Sequence, residues 1–320
     1  MGNINVVVAG SNGYANSIGK RGTVTDITFF ELKRGIDSVT LIEPTKYPEK
    51  LSSLFYATSM AKYAILVIEK IDSMLGEIIV MIDSSEIGEG CIILKNYIQP
   101  EQIKPLLAGT LLEKYEFLDD DPIKIREMLL GIAHSVKEVI GDETCGSCSV
   151  DSHFNVKGVG TVILGPVVDG YFKIHDKMQV YPIKKKVILK SIQKHDVDAD
   201  SCVIGDHVGL ALRGIESDEL DRGYVITTDQ SIKMTKRVRA EATLVKFWPS
   251  KIKDGMVMHV GHWMQMVSCH VISSIDNGDF RFPVLDVEFG GEIIHKPNDK
   301  AIMMYLEGGK LRIVGTMTLR

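Results

Sequence analysis

The chain opens with strand-length apolar runs separated by helix-compatible stretches. Residues 5–9, with the unbroken apolar run Val6-Val7-Val8-Ala9, have the pattern of a buried strand. Further strands are predicted over 23–32 and 37–42, joined by the turn-rich Lys33-Arg34-Gly35-Ile36, and over 63–69. A break at 73–76 then leads to strand candidates at 77–82, 90–94 and 115–118. Residues 47–62 and 102–107 suit helices, and an acidic opening with Pro122 announces another over 121–134. Strands interleaved with helices predict an open, mostly parallel α/β sheet.

After about residue 140 the texture changes. Runs rich in Val, Ile, Tyr and Phe recur every 8–12 residues between Gly, Pro or Asp, the rhythm of all-β barrels or sandwiches. Such runs lie at 158–164, 177–181, 186–193, 207–212 and 224–227, then at 240–247, 265–275, 279–288, 300–306 and 309–317. Residues 229–236 read as the joint between two β domains. The expected architecture is multi-domain: an N-terminal α/β domain over 1–140, then all-β barrels over 149–229 and 237–320.

Composition narrows the classes. Hydrophobic residues make up 45% of the chain, which excludes wholesale disorder, and a net charge of −5 gives no global pull toward nucleic acid or anionic lipid. The apolar stretches at 76–83 and 91–94 are far shorter than the roughly 20 residues of a membrane helix. The N-terminus lacks the basic and apolar regions of a secretory signal, and Val6 stands where a myristoylation signal needs Ser or Thr. With an odd number of cysteines, five, the chain is expected in a reducing compartment, the cytoplasm, with no membrane partner. Cys145-Gly-Ser-Cys148 has no second pair at zinc-knuckle spacing and sits in what reads as a linker, so two ordinary thiols are expected. The nine histidines show no HxxxH or HExxH spacing, and no metal site is expected.

Four strings in the first β domain carry a family resemblance. They are Asp-Ser-His-Phe-Asn-Val-Lys-Gly-Val-Gly-Thr-Val-Ile-Leu-Gly (151–165), Ser-Ile-Gln-Lys-His-Asp (191–196), Gly-Asp-His-Val-Gly-Leu-Ala-Leu-Arg-Gly-Ile (205–215) and Leu-Asp-Arg-Gly-Tyr-Val-Ile (220–226). Gly158 and Gly160 suit a bend at a tight barrel corner, and Gly205-Asp206 and Asp221-Arg222-Gly223 suit turns between paired strands. In this order the strings resemble the second domain of elongation factor Tu-type translational GTPases, in the manner of the selenocysteine-specific elongation factor and, more distantly, the gamma subunit of initiation factor two. Lys253-Asp-Gly-Met-Val257 and Leu311-Arg-Ile-Val-Gly315 resemble strings of the family's C-terminal barrel. With no string resembling the extra C-terminal domain of selenocysteine-specific factors, selenocysteine delivery is not expected of this sequence. The family tone suggests an archaeal source.

The resemblance makes the N-terminal domain a degenerate, P-loop-like G domain. The family has GxxxxGK[ST] after its first strand, where backbone N–H groups cradle phosphates, Lys neutralises charge and a hydroxyl binds Mg²⁺. Here the loop reads Gly10-Ser-Asn-Gly13-Tyr-Ala15-Asn16-Ser17, so Asn16 stands for the lysine and Ala15 for the second glycine. Only two residues separate Ser17 from Lys20-Arg21-Gly22, so the helix and mobile segment that normally precede the effector threonine are expected to be cut to a turn. Val24 takes the threonine position, with Thr23 and Thr25 as neighbours. In place of DxxGH stands Glu43-Pro-Thr-Lys46-Tyr47, and in place of the base-selecting [NT]KxD stands Leu94-Lys95-Asn96-Tyr97. The vestigial set is therefore Gly10, Gly13, Asn16, Ser17, Glu43 and Lys95. The expectation is no catalytic residue and no GTP or Mg²⁺ cofactor.

Three function classes remain. The first is an elongation factor-like protein that neither binds nor hydrolyses GTP and acts by binding tRNA, another RNA or a translation protein. Its candidate RNA contacts are Lys184, Lys185 and Lys186 in one cluster and Lys233, Lys236, Arg237 and Arg239 in another. The second is an atypical GTPase in which Ser17, Glu43 and a displaced lysine such as Lys20 support slow turnover with GTP and Mg²⁺. The third is a protein–protein scaffold with no RNA role.

Overall fold

The computed structural model describes residues 2–136, 145–276 and 278–320; the expected boundary at 140 and the start of the linker-like segment lie outside them. The first unit contains β1 (Asn3–Ala9), β2 (Lys20–Val24), β3 (Thr28–Arg34), β4 (Asp37–Glu43), α1 (Leu51–Ser59), β5 (Tyr63–Ile68), α2 (Ser73–Ser84), β6 (Glu89–Leu94), α3 (Pro100–Leu107), β7 (Glu116–Leu118) and α4 (Pro122–Ser135). The segment Glu307–Ile313 belongs to the same unit. Its seven strands run in the order β2-β3-β4-β1-β5-β6-β7. Strand β1 is central and parallel to β4 and β5, whereas β2 and β3 form an antiparallel edge. Val6 and Val8 pack in a core with Ile125 and Leu129 of α4, and Val7, on the opposite face, is also fully buried. That two-sided burial explains the unbroken apolar run.

Residues 77–82, predicted as a strand, lie inside helix α2. The Asp72 side chain caps the helix by accepting the Leu75 N–H at 3.0 Å, and Gly76 is accommodated in the helix. A six-residue apolar run carries no period that separates a buried strand from a buried helix. The predicted strand over 23–32 is two strands, β2 and β3, separated at residues 25–27 by a bend in which the Thr25 N–H donates to the Ile27 carbonyl.

The second unit holds two barrels. The first contains β8 (Gly146–Ser149), β9 (Ser152–Val156), β10 (Gly160–Lys173), β11 (Lys177–Tyr181), β12 (Lys185–Lys194), β13 (Val197–Ala199), β14 (Ser201–Val203), β15 (His207–Arg213) and β16 (Val225–Thr227). Six of these close a ring in the order β11-β16-β8-β10-β15-β12, with β12 pairing back to β11. The other barrel contains β17 (Lys233–Leu244), β18 (Val257–His262), β19 (Gln265–Ile275), β20 (Val284–His295), β21 (Lys300–Met304) and β22 (Ile313–Thr318), closed in the order β17-β20-β19-β18-β21-β22. The fold is thus the expected α/β domain followed by two closed six-stranded barrels. Val225, Ile232 and Ile294 form an apolar seam between the barrels, and Lys296 of the second reaches Asp169 of the first at 2.7 Å.

The CxxC segment is strand β8 rather than linker, paired with β10 and β16. Cys148 points into the barrel core, where burial pushes its thiol far above the usual range, while Cys145 is half-buried. Among the described residues no group of metal-ligating side chains occurs, and no helix is long and apolar enough to cross a membrane.

Candidate functional site

The loop after β1 closes on itself. Gly10 has φ +99°, and a β-carbon there would meet the Val67 carbonyl oxygen at 2.1 Å, so only glycine fits. Gly13 is also left-handed and leads into a 3-10 turn, Tyr14–Ser17. Glu43, at the end of β4, turns its buried carboxylate into this loop. One oxygen accepts the Ala15 N–H at 2.7 Å and the other accepts the Gly13 N–H at 3.0 Å. A carboxylate from within the protein therefore occupies backbone donors of the kind a phosphate needs. Burial pushes the Glu43 carboxyl above its usual range, with the Ala15 and Gly13 N–H groups and the charge of Arg21 pulling the other way.

The remaining members of the vestigial set are dispersed. Asn16 is exposed, and the Ser17 hydroxyl donates to the Tyr14 carbonyl at 2.8 Å, bonded within its own turn. Lys20 lies in the exposed edge strand β2, paired in register with Glu31. Lys95 lies 3.3 Å from Asp120, with its ammonium 4.8 Å from the centre of the Tyr14 ring. Tyr14 itself donates to Asp120 at 2.7 Å. Tyr14, Lys95 and Asp120 thus form a closed triad beside the loop. Tyr97, at the base-selecting position, is 98% exposed with φ +61°.

The segment after β4 is fixed. Tyr47 is buried and its hydroxyl lies 3.0 Å from Glu77 of α2. Glu77 is also held by Arg312, through the backbone N–H at 2.8 Å, Nε at 3.0 Å and Nη2 at 2.5 Å. Arg312 reaches the Pro48 carbonyl at 3.1 Å as well. The Glu77 carboxylate raises the Arg312 pKa above its already high value. A fully bonded carboxylate at this place ties the loop down.

The first barrel carries a different kind of site. In register, Lys177 of β11 lies opposite Ile188 of β12, which lies opposite Arg213 of β15. In the next row Gln179 lies opposite both Lys186 and Thr227. The intervening Met178 and Val187 point into the core, so both rows face outward. They line an open cavity of about 840 Å³. Among the described residues Lys177, Lys186 and Arg213 make no ion pair. Asp229 at the rim is opposed by burial, but the Ser231 N–H and Lys296 bring its carboxyl below the usual range.

The predicted basic clusters belong to different barrels and differ in character. Lys184 occupies a left-handed turn position and is exposed; Lys185 pairs with Glu219 at 2.6 Å; Lys186 lines the cavity. On β17, Lys233 and Lys236 are exposed, Arg237 makes a two-pronged pair with Asp286, and Arg239 lies opposite Asp286 in register. Sequence reading found Lys186 but missed Lys177 and Arg213. The signal was the cations at outward positions 177 on β11 and 186 on β12, which acquire meaning only once β15 is known to lie beside β12.

The comparisons agree with this architecture. The sequence family described as Elongation factor Tu domain 2 matches residues 160–227, which span β10 to β16. An uncharacterized protein of Methanocaldococcus jannaschii is 32% identical over 304 residues, covering 95% of this chain and 94% of that one. The selenocysteine-specific elongation factor of the same organism is 24% identical over 272 residues, 79% of this chain and 58% of that protein. The crystal structure of translation elongation factor SelB from Methanococcus maripaludis, in complex with the GTP analogue GPPNHP, superposes with a TM-score of 0.83 at 17% identity, covering 100% of this chain and 79% of that one. Fold and sequence show an α/β domain followed by two barrels, the architecture of elongation factor Tu-like translation factors. The chain belongs to one family with the uncharacterized M. jannaschii protein; its first barrel matches Elongation factor Tu domain 2, and its fold is similar to that of the selenocysteine-specific elongation factors.

Proposed function

We propose that this chain is an elongation factor-like protein that works without GTP and acts by binding RNA, with tRNA among the candidates, through its barrels. The observation that carries the first half is the Glu43 carboxylate on the N–H groups of Gly13 and Ala15. A triphosphate would have to displace a buried anion already held by two charge-assisted hydrogen bonds. It would do so without the ammonium at position 16, an interaction of about 4 kcal/mol at 4 Å and an effective dielectric of 20. With the effector segment reduced to β2 and the loop after β4 bonded to Glu77, γ-phosphate has no mobile element to order.

The second half is supported by the cavity on the first barrel, where Lys177, Lys186 and Arg213 surround the exposed Ile188. Cations for phosphates beside an apolar surface for a base suit the end of a nucleic acid chain. Two titrations test the proposal. A fluorescent GTP analogue with Mg²⁺ is expected to leave the wild-type protein unsaturated, and tRNA is expected to bind with an affinity that falls steeply with salt. Saturable nucleotide binding overturns the first half; absence of tRNA and other RNA binding overturns the second.

A further inference from the structure

One end of the second barrel exposes aromatic rings beside cations. In the segment after β17, Lys246 and Phe247 are exposed, with Phe247 50% accessible, while the next residue, Trp248, is buried. Before β20, Phe280 packs against the barrel core, Arg281 and Phe282 are exposed, with Phe282 59% accessible, and Pro283 is buried. The two segments are stitched together. The Leu244 N–H donates to the Arg281 carbonyl at 2.8 Å, the Ala242 N–H to the Pro283 carbonyl at 2.9 Å, and the Arg281 guanidinium to the Lys246 carbonyl at 3.4 Å. Asp279 accepts the Arg281 N–H at 2.9 Å and so fixes the turn that presents Phe282.

The cations are seated on the rings. Lys246 Nζ lies 4.7 Å from the Phe247 ring centre, and the Arg281 guanidinium lies 5.5 Å from that of Phe280. Trp248, the chain neighbour of Phe247, meets Tyr305 edge-on at 6.1 Å as part of the barrel's packed core. The nearby carboxylate of Asp276 is paired with Lys251 at 2.8 Å. A partner that fits must offer flat apolar faces and negative charge within a few ångströms of each other. Unpaired bases and their phosphates offer both, whereas a duplex hides its base faces in the stack.

We propose that Phe247 and Phe282, with Lys246 and Arg281, form a platform on which single-stranded RNA stacks. This rests on the reading of the chain as an RNA-binding protein, and places a contact on the second barrel distinct from the cavity on the first. The test uses the full chain with fluorescein-labelled single-stranded oligoribonucleotides and a blunt RNA duplex, read by anisotropy. The Phe247→Ala/Phe282→Ala protein is expected to lose about tenfold or more in single-strand affinity with duplex binding unchanged, and Phe247→Trp/Phe282→Trp to retain it. A Lys186→Glu/Arg213→Glu protein is expected to weaken both probes.

Unchanged single-strand affinity in the alanine variant overturns the platform while leaving the cavity in place. Loss only in the alanine variant supports the platform and contradicts the cavity. Wild-type protein that binds duplex alone, or that buries these phenylalanines in a self-associated form dispersed by the alanine variant, also overturns the platform. Failure of the wild type to bind any RNA overturns both readings.

Discussion

The loop after β1 and the outward face of the first barrel both gather groups suited to anions, yet they are satisfied in opposite ways. In the loop, Glu43 accepts from Gly13 and Ala15, Ser17 bonds Tyr14, and Lys95 meets Asp120, so each of these groups has a partner within the chain. On the barrel face, Lys177, Lys186 and Arg213 stand around an open cavity with no ion pair among the described residues. A site whose donors are internally bonded has little to offer a ligand; a site of unpaired cations can still gain from one. Under the proposed function, this difference puts binding in the barrels and leaves the α/β domain a structural part.

The largest effect is expected from breaking the satisfied side at Arg312. Arg312→Ala leaves the buried Glu77 carboxylate with only the Tyr47 hydroxyl of its side-chain partners. A loss of about 3–5 kcal/mol is expected, as for other broken buried pairs. Chemical denaturation checks it, and a loss below about 1 kcal/mol, the value of an exposed pair, shows that Glu77 is not held as described.

Glu43→Ala frees the Gly13 and Ala15 donors and should cost about 2 kcal/mol, within the range for unsatisfied buried groups. Part of that loss should return in phosphate or pyrophosphate, because the anion takes the place the carboxylate left. Melting curves across phosphate concentrations test this; identical phosphate dependence in wild type and variant contradicts it.

Lys186→Glu/Arg213→Glu should leave stability within about 0.5 kcal/mol, since both side chains are exposed. Its RNA affinity should fall at least about tenfold, and the slope of log affinity against log salt should flatten by about 0.7 for each phosphate no longer neutralised. An unchanged slope removes the cavity from the binding surface.

The smallest effect concerns pH. The Glu43 carboxyl is raised in the folded state, so folding favours its protonated form. The stability that this shift adds is therefore fully present below the ordinary carboxylate value of about 4.3 and is lost as pH rises through the raised folded value, whereas the hydrogen bonds to Gly13 and Ala15 remain. The stability advantage of wild type over Glu43→Ala should shrink across that window as pH increases. A gap that widens with pH reverses the sign of the argument.

Much of the architecture was legible because period and punctuation are local. The apolar run of β1 and the Gly and Asp turns of the barrels each report on a few neighbouring residues. Helix α2 reads as a strand because it is apolar all round over most of six residues, and β18 goes unpredicted. The altered positions of the loop could be read along the chain, including the carboxylate of Glu43. Its inward turn could not, since Glu43 and Ala15 meet across 28 positions of sequence. Tyr14 and Asp120, 106 positions apart, gave no signal at all. The Lys177–Ile188–Arg213 row likewise exists only in the pairing of three strands.

The most direct test of the account is a calorimetric titration of the wild-type protein with GTP in excess Mg²⁺. The account predicts no saturable heat with nucleotide near 1 mM, equivalent to a binding free energy weaker than about −4 kcal/mol. Saturation in the micromolar range or tighter would show that Glu43 yields its place to a triphosphate, and would contradict it.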